Sequence, residues 1–251
     1  MESPLILGAL FLAAVVAGWI DSIAGGGGLI TLPALLAVGL PPHLALGTNK
    51  FQSSFGSFTA TMNHYRKGII NIKEAFWGIV CTAVGAASGA YVVQVLDSNL
   101  LEKIIPFLLL AILVYFLFSP RLGDLDTKQR IHKNVFYVVI GLGLGFYDGF
   151  FGPGTGSFWT FLFVSLMGLN LLKATGYTKL MNFTSNIVSL IAFAIGGNIM
   201  FSVGLIMAVG QTIGAYFGSH MAIRRGAKFI RPVFVIVVLA TTIKLFADYF
   251  K

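Results

Sequence analysis

Four ionisable side chains sit where a charge is expensive: Asp21, Lys50, Asp148 and Lys179 each lie in long apolar sequence. Such a group at the centre of a membrane helix costs about 2.5–3.5 kcal/mol on insertion scales, so it faces a cavity or a partner. Two kinds of chemistry fit. The charges can form structural ion pairs that tie segments together. Alternatively, one or both lysines attract an anionic substrate, while Asp21 and Asp148 hold the lysines or titrate and couple transport to protons. The polar neighbours favour the anion. Lys50, Ser53, Ser54 and Ser57 follow an i, i+3, i+4, i+7 spacing, one face of a helix, with Asn49 and Gln52 beside it. Lys179, Asn182 and Asn186 repeat that pattern, flanked by Thr178 and Ser185. Lysine, amide and hydroxyl groups at membrane depth suit the oxygens of an anion, although the same groups also bond helix to helix.

Each aspartate precedes a helix-breaking stretch. GWIDSIAGGGGLITLP starts at Gly18 and GFYDGFFGPGTGSFW at Gly145. A bend there leaves backbone N–H groups unpaired, and a helix starting after it aims its positive end at the site. Gly26 and Gly27 in the first copy, and Gly154 and Thr155 in the second, are therefore candidate anion-binding positions. GTNKFQSSFGS at Gly47 is echoed by GYTKLMNFTSN at Gly176, and GAASGAYV at Gly85 by GAYFGSHM at Gly214. The offset drifts only from 127 to 129 residues, so the chain carries two copies of one unit. Small residues four apart, at Gly85 and Gly89, Gly141 and Gly145, and Gly214 and Gly218, read as tight helix packing.

The elements that position these residues are transmembrane helices. Hydrophobic residues make up 57% of the 251 and charged residues 10%, whereas soluble domains average about 45–50% and 25%. Long uninterrupted apolar runs select helices over barrel strands. Ten segments emerge, roughly 4–23, 28–41, 43–63, 74–96, 101–119, 133–151, 155–169, 173–196, 199–222 and 229–249. The second segment of each half is short, and Pro33 is expected to break the first of them; both read as half-helices or re-entrant pieces. Residues 1–120 form one repeat and 133–251 the other, joined by a hydrophilic linker at 121–132. The N-terminal run lacks a basic leader and carries Glu2, and is read as the first helix.

Loop charge orients the halves. The basic residues gather in three short stretches: Arg66, Lys67 and Lys73; Arg121, Lys128, Arg130 and Lys133; Arg224, Arg225, Lys228 and Arg231. With five segments per half, all three fall on the cytoplasmic side, both termini fall outside, and the second repeat is inverted. The net charge of +8 is thus explained by topology and lipid headgroups rather than nucleic acid. Cys81 is the only cysteine, and the four histidines have no metal-ligand spacing. No metal or other cofactor is expected, and no nucleophile elbow or Walker motif supports an enzyme.

On WIDSIAGGGGLITLPALLAVGLPPHLALGTNKFQ, GFYDGFFGPGTGSF and LKATGYTKLMNFTSN, the chain resembles the TauE/SafE family of sulfite and organosulfur-anion exporters, in its YfcA-like branch. The resemblance runs over essentially the whole chain. It implies a multi-pass permease of the bacterial inner membrane that exports a small sulfur-containing anion such as sulfite or a sulfonate. A passive anion channel and a permease for a non-sulfur organic anion are the alternatives. Its oligomeric state is left open.

Overall fold

The computed structural model describes residues 3–117, 126–226 and Phe229. These form α1 (Pro4–Ala24), α2 (Gly28–Ala37), α3 (Pro42–Arg66), α4 (Phe76–Val95), α5 (Ser98–Leu117), α6 (Lys133–Phe150), α7 (Thr155–Ser165), α8 (Leu171–Ile195) and α9 (Phe201–Arg225). A single 3-10 turn, Lys73–Ala75, precedes α4, and no strand occurs among the described residues. Residues 121–125 of the expected linker and all but Phe229 of the segment expected at 229–249 lie outside the described residues.

Four stretches are long and apolar enough to cross a membrane: Pro4–Ala24, Lys73–Val95, Leu171–Ile195 and Phe201–Arg225. Their outer surfaces confirm the apolar surroundings, since Leu5 is 83% and Ile195 84% exposed. Exposed apolar side chains on this scale need lipid around them. The chain is a polytopic helical membrane protein.

Helix direction follows from which residues meet. Along α1 and α9, the carbonyls of Phe11, Val15 and Trp19 face Gly210, Gly214 and Gly218 in that order, so the two run parallel. Along α4 and α6, Gly85 and Gly89 face the carbonyls of Leu142 and Phe146, again in parallel. The glycines let each backbone settle on the next helix, as their spacing predicts. Thr48 accepts from the Met200 N–H at 3.0 Å and Asn63 donates to Ser219 at 2.7 Å, which makes α3 parallel to α9. By contrast α3 and α8 are antiparallel: Gly47 packs on Phe193, Ser57 accepts from Asn186, and His64 packs on Gly176. Helices α1, α3 and α9 therefore point one way and α4, α6 and α8 the other.

The short helices return the chain. In α2 Thr31 donates to Asn49 of α3 at 2.6 Å, and a tight turn then leads into the start of α3. Each of α1–α2 and α6–α7 is thus a hairpin bent at a glycine-rich break. The expectation that Pro33 breaks the second segment is corrected. Helix α2 runs through Pro33 and ends at Ala37, where Gly39 takes a φ of +89° and its N–H meets the Leu36 carbonyl. A proline costs one backbone bond and a local kink, whereas the left-handed glycine reverses the chain. At 10 and 11 residues, α2 and α7 extend about 15–17 Å, half a hydrocarbon core.

One end of the bundle carries the basic loops. Lys133 pairs with Glu74 at 3.6 Å, joining the end of the linker to the turn before α4. Asp126 accepts from Lys173 and from the Asn170 N–H, and these bonds hold its carboxyl below the usual carboxylate range. The Thr127 N–H meets the Gly168 carbonyl at 2.7 Å. Arg224 and Arg225 close α9 beside the end of α3. At the opposite end, His43 bonds Ser98 at 3.0 Å and Asn198 donates to Gln94 at 3.1 Å.

Glycine packing is testable. A Cβ on Gly89 would collide with backbone of Phe146 and Phe150, while one on Gly143 of α6 would meet nothing within 4 Å. Gly89→Val is expected to lower stability by about 1–3 kcal/mol or more, since an overpacked contact must open. Gly143→Ala should be neutral or stabilising by up to about 1 kcal/mol. Thermal unfolding in detergent measures both; equal midpoints would refute the packing.

Candidate functional site

The two breaks meet at the centre. Gly25 has a φ of +79°, and a Cβ there would lie 2.6 Å from the Gly156 carbonyl carbon and the Ser157 nitrogen. Only glycine satisfies both the dihedral and the approach. Gly154, with a φ of +84°, caps α7 in the left-handed conformation. Around this contact the halves exchange partners. Ser157 donates to the Ala24 carbonyl at 3.1 Å. A Cβ on Gly28 would sit 3.3 Å from Pro153, the position 129 residues after Ala24.

Charge crosses between the halves in the same way. Lys50 on α3 donates to Asp148 of α6 at 2.6 Å, and Lys179 on α8 pairs with Asp21 of α1 at 3.2 Å. Both lysines are buried, at 1% and 0% exposure. A buried ion needs a partner more than a surface one does, because desolvation costs several kcal/mol per charge.

The two pairs are not equivalent. Both carboxylate oxygens of Asp148 are engaged, one by Lys50 and the other by the Ser185 hydroxyl. Its side chain is 5% exposed. Asp21 keeps a side chain that is 22% exposed, and its Oδ1 accepts a 3.2 Å bond from the Gly27 N–H. Lys179 also donates to the Asp21 backbone carbonyl.

Between the pairs lies a polar cavity of about 30 Å³, lined by Asp21, Gly26, Gly28, Asn49, Lys50, Ser53, Asp148, Gly152, Gly154, Thr155, Gly156, Asn182 and Asn186. A single water needs roughly 10–15 Å³, so there is room for a few waters or one small ion. The cavity presents unused donors. The Lys50 ammonium makes one hydrogen bond among the described residues. The backbone N–H groups of Gly26, Gly28, Gly154 and Gly156 have none there. With α2 and α7 both starting at this point, the field favours an anion.

Most candidate positions converge. Asn49, Lys50, Ser53, Asn182, Asn186, Gly26, Gly154 and Thr155 line the cavity together with Asp21 and Asp148. Lys179, Gln52 and Gly27 stand just behind: Lys179 holds Asp21, Gln52 donates to Asn49 and Ser53, and Gly27 donates to Asp21. Ser54 turns away and donates to the Lys50 carbonyl of its own helix at 2.7 Å.

Two threonines escaped the sequence reading. Thr31 bonds Asn49, and Thr160 bonds Thr178 at 3.0 Å, so each half-helix is fastened to its long helix at matching positions. Their one sequence signal is the shared 129-residue offset.

Similarity to known proteins agrees with this architecture. The family described as sulfite exporter TauE/SafE matches residues 10–245. The chain belongs to that family. It is 46% identical over 248 residues to the probable membrane transporter protein YfcA of Escherichia coli K12, covering 99% of this chain and 92% of that one. It is 47% identical over 243 residues to the probable membrane transporter protein ORF9 of a Sinorhizobium species, covering 97% and 93%. A probable membrane transporter protein of Haemophilus influenzae is 45% identical over 243 residues, covering 97% and 95%. No solved structure matches the chain significantly. The protein is a membrane transporter of the TauE/SafE type.

The crossed pairing predicts specific rescue. Lys50→Ala strands Asp148 and should cost about 3–5 kcal/mol. Asp148→Asn should recover most of that loss, and Asp21→Asn none of it. Thermal stability of the double variants in detergent decides; equal rescue by both asparagines would contradict the crossing.

Proposed function

We propose that this chain is a secondary transporter of a small sulfur-containing oxyanion, such as sulfite or a sulfonate, working as an exporter. The observation that carries the reading is the cavity between the crossed pairs, where unpaired glycine N–H groups meet the spare donors of Lys50. Lys50 and Lys179 supply positive charge, while Asn49, Ser53, Asn182 and Asn186 hydrogen-bond the oxyanion and Gln52 orients Asn49 and Ser53 from behind. Gly26 and Gly154, with Gly28 and Gly156, bring free backbone donors close, while Gly27 holds Asp21 and Thr155 lines the site. The family name supports the substrate class.

In this reading residues 1–120 and 133–251 are inverted copies packed around the site. Supporting it, α3 and α8 run antiparallel while carrying the same motif, and Ser157 on Ala24 mirrors Gly28 on Pro153. The basic end faces the cytoplasm of a bacterium, because positive loops stay inside. Both termini then lie outside.

Charge balance suggests the coupling. Two lysines and two aspartates make the empty site neutral, so a bound monoanion leaves one uncompensated charge in low dielectric, which is costly. A proton on one carboxylate restores neutrality. Asp21 is the carboxylate within reach of an incoming proton, with a side chain 22% exposed against 5% for Asp148. Protonating it also frees Lys179 for the anion.

Purified protein in proteoliposomes should exchange sulfite in counterflow with saturation, as a carrier does and a channel does not. Asn182→Ala should cut that flux about tenfold with folded protein retained, the loss of one hydrogen bond to a charged group. A pH gradient should drive accumulation, and clamping the membrane potential should change it little. Unitary currents, or accumulation that follows potential alone, would overturn the carrier.

A further inference from the structure

His64 lies outside the cavity, yet it is fully buried near the C-terminal end of α3. Its Nδ1 lies 2.9 Å from the Ala60 carbonyl, so Nδ1 carries the hydrogen and Nε2 the lone pair. Nε2 has no hydrogen-bond partner among the described residues. The ring edge packs on Gly176 of α8, one turn before Lys179. Two further buried hydroxyls are equally unpartnered there: Thr61, one turn before His64, and Thr175, beside Gly176. Leaving such groups dry costs about 1–3 kcal/mol each, whereas a polar pocket recruits water. Three unpartnered polar side chains thus lie on α3 and α8 between the Lys179 side of the site and the basic end.

The three equivalent positions in the other half are apolar, although Ser189, one turn before Phe193, is also buried and unpartnered. The positions 129 residues away from His64, Thr61 and Thr175 are Phe193, Leu190 and Leu46. Phe193 takes the same seat as His64: a Cβ on Gly47 would lie 3.1 Å from its ring, and a Cβ on Gly176 lies 3.1 Å from the imidazole. Phe193 and Leu46 are 0% and 1% exposed within the apolar core. Equivalent places are polar toward the basic end and dry toward the other.

We propose that His64 is the proton relay between the Asp21–Lys179 pair and the basic end of the protein, while Phe193 and Leu46 close the opposite route. This rests on the proton-coupled anion carrier proposed above. Lys179 on α8 is the charged group facing the imidazole. Ile69 and Ile70 of the following loop reach the same spot on Gly176 as the imidazole, Arg66 ends α3 exposed with Lys67 just after it, and His220 of α9 is occupied by Asn63. Lys179 and a protonated His64 repel each other, so the imidazolium is a transient carrier. Once water from the basic end has protonated Nε2, Lys179 gives a proton to the Asp21 carboxylate and takes one from Nε2 through an intervening water. The imidazole returns to its neutral form and is recharged by water from the basic end. Protons and charges balance, and no other reactant is needed.

The test uses the whole protein in proteoliposomes with sulfite as the probe. Counterflow needs no net proton transfer, whereas accumulation driven by a pH gradient does. His64→Gln keeps the size and polarity but carries no proton. It should hold counterflow within about twofold of the native protein and lower gradient-driven accumulation at least about tenfold, as loss of a placed proton carrier does. Thr175→Leu, which installs the residue of the dry side while leaving His64 in place, should give the same split and serves if His64→Gln fails to fold. Intact accumulation in either folded variant overturns the relay. Absence of sulfite counterflow in the native protein overturns the transport reading instead.

Discussion

Everything at the centre of this protein follows from four charges that cannot be left alone in an apolar interior. Lys50 and Lys179 are each buried beyond the reach of bulk water, and a stranded ammonium there would cost more than a single domain can spare. Each finds its carboxylate on the first helix of the other half. That crossing fixes where α1 and α6 must end, and brings the two glycine-rich breaks into backbone contact. The central cavity is the space left between the pairs.

Glycine makes the rest of the bundle compatible with that constraint. Apolar side chains gain little from association in lipid, so helices are held by close backbone approach. Gly85 and Gly89 provide it for α4 on α6, and Gly214 and Gly218 for α9 on α1. The long helices thereby form a stiff frame. Within it the half-helices α2 and α7 are packed by the fully buried Leu32, Leu35, Trp159 and Phe163, and a threonine bonds each to its long helix.

Much of this was legible in advance, for physical reasons. Helix positions and the short second segments follow from hydropathy and length, which lipid dictates directly. The polar stripe on α3 was readable from helical spacing, and Asn49, Lys50 and Ser53 do line the cavity. Pro33 was misread because a proline's cost depends on whether a real chain reversal lies nearby; Gly39 supplies that reversal. Thr31 and Thr160 drew no notice, and His64 only as a histidine without metal-ligand spacing, because isolated polar residues in apolar sequence are common. Only packing reveals whether such a group is satisfied, and the His64 Nε2 has no partner among the described residues.

By itself, the sequence determined that the chain is a helical membrane protein carrying one motif twice, with glycine breaks beside aspartates in apolar sequence. Hydrophobicity, spacing and self-similarity are properties of the chain in one dimension, and lipid reads them residue by residue. Which lysine answers which aspartate is a different kind of fact. Four charges allow pairing within each half or across them, and spacing along the chain favours neither. Tertiary structure decided for the crossing, because the antiparallel packing of α3 on α8 carries each lysine to the far half's first helix. It also separated two aspartates that look alike in sequence, closing Asp148 between Lys50 and Ser185 while leaving Asp21 partly open.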